Sequence, residues 1–300
     1  MMAFAAAVEP LRSANRMSGV SHYRWTFISR DGRPVRASNG MEVVPHHAMK
    51  DVSTCETLFV CSGIDAQTFA DRSVMAWLRK LARQGTVMGS LCTGTHILAR
   101  AGLIRGHRCT IHWEDHESFT EQYPDIEVTD DLFEIDRNRI TCSGGTASLD
   151  LMLHLIKLDH GVELAGRVSE QFIHERIRQS DDRQRMALHS RTGVSDAKVL
   201  AAIDVMERNL EEPLTIPDIA NGVRLSTRQL ERLFIRHLGR SPSRYYRELR
   251  LHHARLMLLQ GSTSILSIAL SAGFVSASHF SHRYRELFGR PPREERRGVV

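Results

Sequence analysis

Fifty residues separate two copies of one pattern near the carboxyl end of this 300-residue chain. Ser226, Leu230, Phe234, Leu238, Gly239, Arg240 and Pro242 recur as Ser276, Phe280, Tyr284, Phe288, Gly289, Arg290 and Pro292. Upstream, Ile219-Ala220 recurs as Ile268-Ala269 at an offset of 49, so the second copy carries one extra residue in its turn. So many matches in side-chain chemistry mark a duplication, and both copies must obey the same folding rules. Each copy predicts a helix, a short turn and a second helix capped by Ser226 or Ser276. Apolar residues every four positions bury one face of that second helix and free the other.

The free faces carry Thr227, Arg228, Glu231, Arg232 and Arg236 in the first copy, and Ala277, Ser278, Ser281, His282, Arg283 and Arg285 in the second. Short polar side chains and guanidinium groups on a helix suit a major groove, where Arg pairs two-pronged with guanine or reaches phosphates. The serine-capped amino end of each helix also suits a phosphate. The plainer alternative, solvated surface arginines, is weakened by duplication and by charge. Residues 191–300 hold 18 Lys/Arg against 11 Asp/Glu, whereas residues 1–190 hold 22 against 24. A basic final third on a near-neutral body points to a polyanionic partner. Between the copies, "SPSRYYRELRLHHARLMLLQG" predicts a connecting helix of about 18 residues, roughly 27 Å long. Such a spacer can hold two reading helices about one DNA turn apart, near 34 Å.

The first 160 residues follow other rules. Strand-like runs at Tyr23–Ser29, Thr57–Cys61, Thr86–Ser90, Arg108–Ile111 and Arg139–Cys142 alternate with helical periods such as Val74–Gln84. Alternation of this kind predicts an α/β domain with a mainly parallel, doubly wound sheet. A long helix opens after "SGGT", closes at Gly161 and leads into another over Val162–Arg185. The expected organisation is an α/β domain at 1–187, a polar linker at 188–195 and an all-α DNA-binding domain at 196–300. No run of about 18 apolar residues spans a membrane, and the amino terminus lacks a basic signal-peptide region. Five cysteines without a CxxC pair fit reduced thiols in a cytoplasm.

"LSTRQLERLFIRHLGRSPSRY" and "VSASHFSHRYRELFGRPP" resemble the AraC/XylS family of transcriptional regulators over about residues 196–297. The resemblance implies base contacts from Arg228, Glu231 and Arg232, then from Ser278, His279, Ser281 and His282, the last standing where the family commonly has arginine. "GSLCTGTHILARAGLIRGHRCTIHW" and "VTDDLFEIDRNRITCSGGTASLDLMLHLI" resemble the class I glutamine-amidotransferase-like, PfpI-type fold, a flavodoxin-like architecture, over residues 3–187. The two together resemble the GlxA-like branch of AraC regulators. Some members of that branch respond to arginine, glycine betaine, carnitine or related nitrogen compounds, and activation is the commoner outcome. The resemblance further implies promoter DNA, a small-molecule effector and RNA polymerase as partners, and a homodimer. Members of the fold open with a strand ahead of the helix that "MMAFAAAVEPLR" resembles. The expectation is a sheet missing its first strand, with about 10–30 further residues upstream.

Within that fold, Ser90-Leu91-Cys92-Thr93-Gly94 is a strand-to-helix elbow, where a helix amino end can lower a thiol pKa. A nucleophile also needs a base or charge partner. Thr93 stands where protease- and deglycase-type relatives place histidine, and Ala3 where isonitrile-hydrating relatives keep an acid. His96 and His112 are candidate bases without an orienting carboxylate in the sequence. Cys92 is therefore expected to be vestigial and the protein no enzyme. The alternatives are a bifunctional isonitrile-hydratase-like regulator and a sensor domain that only dimerises. Cys109, His112 and His116 have zinc-like spacing, but "RCTIHW" reads as strand into loop, so neither metal nor cofactor is expected. What remains is a pocket of Cys92, Thr93, Gly94, His112, Trp113 and Glu114. Elbow N–H groups would hold a carboxylate, the Trp113 face a cation and Glu114 its counter-charge.

Overall fold

The computed structural model describes residues 1–185, 188–260 and 263–297. The chain divides into two compact units, Met1–Arg185 and Met186–Val300.

The first unit runs α1 (Met2–Ser18), β1 (Ile28–Ser29), β2 (Val35–Arg36), β3 (Glu42–Val43), β4 (His47–Ala48), β5 (Thr57–Ser62), α2 (Arg72–Arg83), β6 (Val87–Cys92) and α3 (Gly94–Arg100). It continues through β7 (Arg108–Thr110), α4 (His116–Gln122), β8 (Glu127–Thr129), β9 (Phe133–Asp136), β10 (Arg139–Cys142), α5 (Ala147–His160) and α6 (Val162–Gln171). Its main sheet has the order β5-β6-β10-β9, with the first three strands parallel and β9 antiparallel. "VMGSLC" is buried on both faces, as a central parallel strand must be. From β6, Met88 joins a core with Leu78, Leu98 and Phe119, while Leu91 joins another with Ala7, Phe133 and Leu151. Strand alternation sends the two residues to opposite faces, so helices cover both sides of the sheet. β1 and β4 form a separate parallel pair, and α1 precedes every strand. Among the described residues, no helix is long and apolar enough to cross a membrane.

The strand predicted over 23–29 reduces to Ile28–Ser29, and the helix predicted over 162–185 ends at Gln171. Ile173 adopts φ +54°, which turns the chain out of the helix. Beyond it, the fully buried carboxylate of Asp150 recruits the segment. Asp150 Oδ1 accepts from the Arg178 backbone N–H at 2.8 Å and lies 2.8 Å from His174 Nε2. Its Oδ2 accepts from Arg178 Nε at 2.9 Å and Nη2 at 2.6 Å. A helix through 185 would carry these partners away and strand a buried charge, which costs more than the helical hydrogen bonds return.

The second unit is helical: α7 (Leu188–Thr192), α8 (Ala197–Glu207), α9 (Ile216–Gly222), α10 (Thr227–Leu238), α11 (Pro242–Gln260), α12 (Ile265–Ser271), α13 (Ala277–Phe288) and α14 (Pro292–Arg297). The segment read as polar linker holds α7, whose Leu188 packs on this unit's first core. The duplicated residues take matched roles. Ser226 and Ser276 cap α10 and α13 by accepting from the N–H three residues on, and Gly239 and Gly289 close them in the left-handed conformation. Leu230 and Phe234 fill one core, and Phe280 and Tyr284 the other. The repeated arginines are clamps: Arg240 pairs with Glu248 of α11, and Arg290 with the buried Glu295 of α14 at 2.6 Å. Part of the basic charge of this unit is thus consumed internally. α11 spans 19 residues, about 28 Å at helical rise.

Replacing Asp150 with alanine should lower the urea-measured stability of the first unit by about 3 kcal/mol. Hydrogen exchange at the Arg178 amide should accelerate in step. A variant as stable as the parent would show that this carboxylate does not hold the segment.

Candidate functional site

The candidate residues fall into two sets, one on each unit. On α10, Arg228, Glu231, Arg232 and Arg236 are exposed, and among the described residues none of them makes an ion pair. Capping by Ser226 directs this face: its hydroxyl and backbone N–H engage Gln229 in a reciprocal box, which fixes the first turn. On α13, Ser278, His279 and His282 are exposed and Ser281 is half-buried. Arg283 differs from the α10 arginines, because it pairs with Glu286 at 2.8 Å along its own helix. Ser226 and Ser276 spend their side-chain oxygens on capping, so a phosphate at these ends would meet backbone N–H groups rather than the hydroxyls.

In the first unit, Cys92 ends β6 with φ +60°, the left-handed geometry of an elbow. Packing holds it there. A Cβ on Gly144 would sit 2.6 Å from Cys92 Cβ, and a Cβ on Gly94 would sit 2.2 Å from the Val60 carbonyl oxygen. Only glycine admits both approaches. Thr93 donates to the Gly63 carbonyl at 2.6 Å, tying the elbow to the end of β5. The half-buried thiol has acidic surroundings. Burial pushes its pKa above the ordinary value of 9.0; the Thr93 N–H opposes this, and the charges of Asp115 and Glu114 add to it. That environment favours neutral SH, the reverse of an activated nucleophile.

His112, Trp113 and Glu114 form one half-buried loop after β7, with His112 Nδ1 3.7 Å from Glu114 Oε2. The sequence offered no carboxylate for His96, yet Asp115 lies 3.4 Å from its Nε2, both groups buried. That histidine packs edge-on against Phe119 at 5.0 Å and belongs to the core beneath the loop. The Trp113 ring already faces a cation, for the Arg185 guanidinium carbon lies 4.8 Å from its centroid. Gln184 fixes the approach of that arginine by donating to Thr110 Oγ1 and to the Ile111 and Asp131 carbonyls, each at 3.0 Å. Asp115, Gln184 and Arg185 escaped the sequence reading because no local pattern marks them. The zinc-like trio separates: Cys109 is buried in β7 with its thiol pushed up to about 12, while His116 faces Asp130 at 3.5 Å.

Alkylation of Cys92, followed by peptide mass spectrometry, should have its half-point above pH 9, the ordinary thiol value. Glu114→Gln should move that half-point down. A half-point near neutrality would contradict the acidic environment and restore a reactive thiol.

Comparison with known proteins bears on both units. The DJ-1/PfpI family matches residues 5–158, and a helix-turn-helix domain matches residues 219–298. The chain is 47% identical to the HTH-type transcriptional regulator GbdR of Pseudomonas aeruginosa, over 99% of this chain and 81% of that protein. It is 36% identical to the HTH-type transcriptional regulator GlxA of Rhizobium meliloti, over 99% and 92%. Among solved structures, an AraC family transcriptional regulator from Pseudomonas putida superposes with a TM-score of 0.52 at 29% identity, covering 57% of this chain and 92% of that one.

Proposed function

The chain belongs to the GlxA-like AraC transcriptional regulators, which join a DJ-1/PfpI domain to a helix-turn-helix domain, and on that footing we propose that its first unit senses a small nitrogenous cation at the 112–115 loop and thereby alters promoter occupancy. The protein is a DNA-binding regulator rather than an enzyme. α10 and α13 are our candidates for the groove-entering helices. The observation that supports this most is the pair of matched, serine-capped helices with free outer faces, three unpaired guanidiniums lying on the first. Arg228, Glu231 and Arg232 would read bases from α10, with Arg236 on phosphate; Ser278, His279, Ser281 and His282 would read from α13. Arg283 would join only by giving up Glu286.

For the effector, the support is the setting of Trp113. The ring stacks on a guanidinium, and the negative charges of Asp115 and Glu114 act on the adjoining elbow. A betaine or amino-acid cation would replace Arg185 on the ring, with Glu114 as counter-charge. Its carboxylate would turn toward Cys92, Thr93 and Gly94, where α3 has only seven residues to contribute a dipole. The chain leaves the first unit at Arg185, so the exchange is felt where the second unit begins. Only a difference in effector affinity between two states can drive the response. In this reading the protein works in the cytoplasm as a homodimer, because paired half-sites reward linked binding. It acts there as an activator through RNA polymerase.

Two measurements test the proposal. Arg232→Ala should weaken promoter binding about tenfold and relax specificity at the base it reads; unchanged affinity would remove α10 from the interface. In a thermal-shift screen of amino acids, betaines and polyamines, a true effector at a hundredfold its Kd should stabilise the chain by about 2.7 kcal/mol. Trp113→Ala should abolish that shift while leaving the ligand-free transition in place. A retained shift would place the effector elsewhere.

A further inference from the structure

The two turns of the duplicated unit adopt the same conformation with different residues, and the difference has a spatial cause. Leu225 N–H donates to Ala220 O at 2.9 Å in the first copy, and Phe274 N–H to Ala269 O at 2.8 Å in the second. Arg224 and Gly273 are therefore equivalent, and both are left-handed, with φ +57° and +69°. The extra residue of the second turn is then Val275, which is 90% exposed. Since Arg224 tolerates the conformation, backbone freedom alone does not demand glycine at 273. Packing does: a Cβ there would sit 2.3 Å from Pro213 Cγ and 2.9 Å from the Leu210 carbonyl oxygen. Leu210 and Pro213 lie in the loop between α8 and α9, so the turn of the second copy rests directly on the first copy.

Arg250, midway along α11, closes this junction. Its Nη1 donates to the Gly273 carbonyl at 2.9 Å. Its guanidinium carbon lies 5.4 Å from the centroid of Tyr246 and 4.9 Å from that of Phe274, so it sits between one ring from each side. Tyr246 in turn donates its hydroxyl to the Asn209 carbonyl, at the start of the same α8–α9 loop. One side chain thus ties α11, the first copy's loop and the second copy's turn, and Phe274 leads straight into the cap of α13. Contact with two aromatic rings and a backbone carbonyl restrains a planar cation against sliding and rotation.

We infer that Arg250 is a positioning residue: together with the Gly273–Pro213 contact it locks the two helix-turn-helix copies into one rigid reader and so sets the spacing between the DNA segments read by α10 and α13. This rests on the reading that both helices contact bases. A guanidinium held this way is not available to a phosphate, although it lies in the basic half of the chain.

The test is selection of binding sites by the full chain from a random 40-base-pair duplex library, followed by affinity measurements on the selected site and on versions with one or two base pairs inserted between its halves. The parent should select two half-motifs at one spacing and lose about tenfold or more in affinity on insertion. Arg250→Met should select the same half-motifs at several spacings and bind inserted sites about as well as the original. Gly273→Ala, which pushes Pro213 away, should do likewise, whereas Arg224→Gly in the first turn should keep the parental spacing. Parent protein that tolerates insertions overturns the clamp without any variant needing to fold. Arg250→Met overturns the positioning role if it keeps one spacing, or if it loses a half-motif and so proves to be a base contact. Selection of a single half-motif by the parent removes instead the premise that both helices read DNA.

Discussion

The first unit depends on one buried carboxylate. Asp150 has no exposed surface and satisfies both oxygens with Arg178 and His174. Because a charge in that position cannot be left unpaired, the chain must leave α6 early and run back across α5. The returning segment then finds further partners: Leu132 N–H donates to Ser180 O at 2.8 Å, Arg183 bridges Asp131, and Gln184 reaches three oxygens beside β7. Arg185 arrives over Trp113 as the end of this sequence of contacts. The aromatic face and the exit from the unit are brought together by an ion cluster on a different helix.

The elbow at Cys92 is a product of packing rather than of thiol chemistry. Its positive φ is enforced by the approach of Gly144, by Gly94 against Val60 and by the Thr93 anchor to Gly63. None of these requires a reactive sulfur, since each is a packing condition of the doubly wound sheet. What a nucleophile adds is a positive or basic neighbour, and here Asp115 and Glu114 supply the opposite sign. The charges that unsuit the site for thiolate chemistry are of the sign that attracts a cation.

Legibility in the sequence followed the range of the interactions. Capping serines, closing glycines and four-residue apolar spacing act within a dozen residues, which made both helix-turn-helix copies and their connecting helix readable. Short β-rich runs disclosed β5, β6 and β10. β9 was missed because it spans only four residues, and its Glu134, buried against Arg108, reads as a surface residue. The helix through 185 was overextended because apolar periodicity continues past Gln171, while the opposing force comes from Asp150 more than twenty residues upstream. Trp113 was visible as an aromatic candidate; its occupant Arg185, and Asp115 beneath the loop, were not, since neither lies in a periodic or motif context. The fold and the family were therefore legible, whereas the wiring of the site was not.

Duplication also explains why the two candidate reading helices need not be equal. Once the copies are locked together through Gly273 and Arg250, binding energy gained by one helix places the other in register without further loss of orientational freedom. α10, whose three guanidiniums have no ion-pair partner among the described residues, can supply the strong, salt-dependent contacts. α13 is then free to carry serine and histidine, whose short side chains demand close approach and contribute discrimination rather than attraction. Arg283, already neutralised by Glu286, fits that division. A flexible joint would not permit it, because a weak second helix on a loose tether would be lost to competing non-specific contacts.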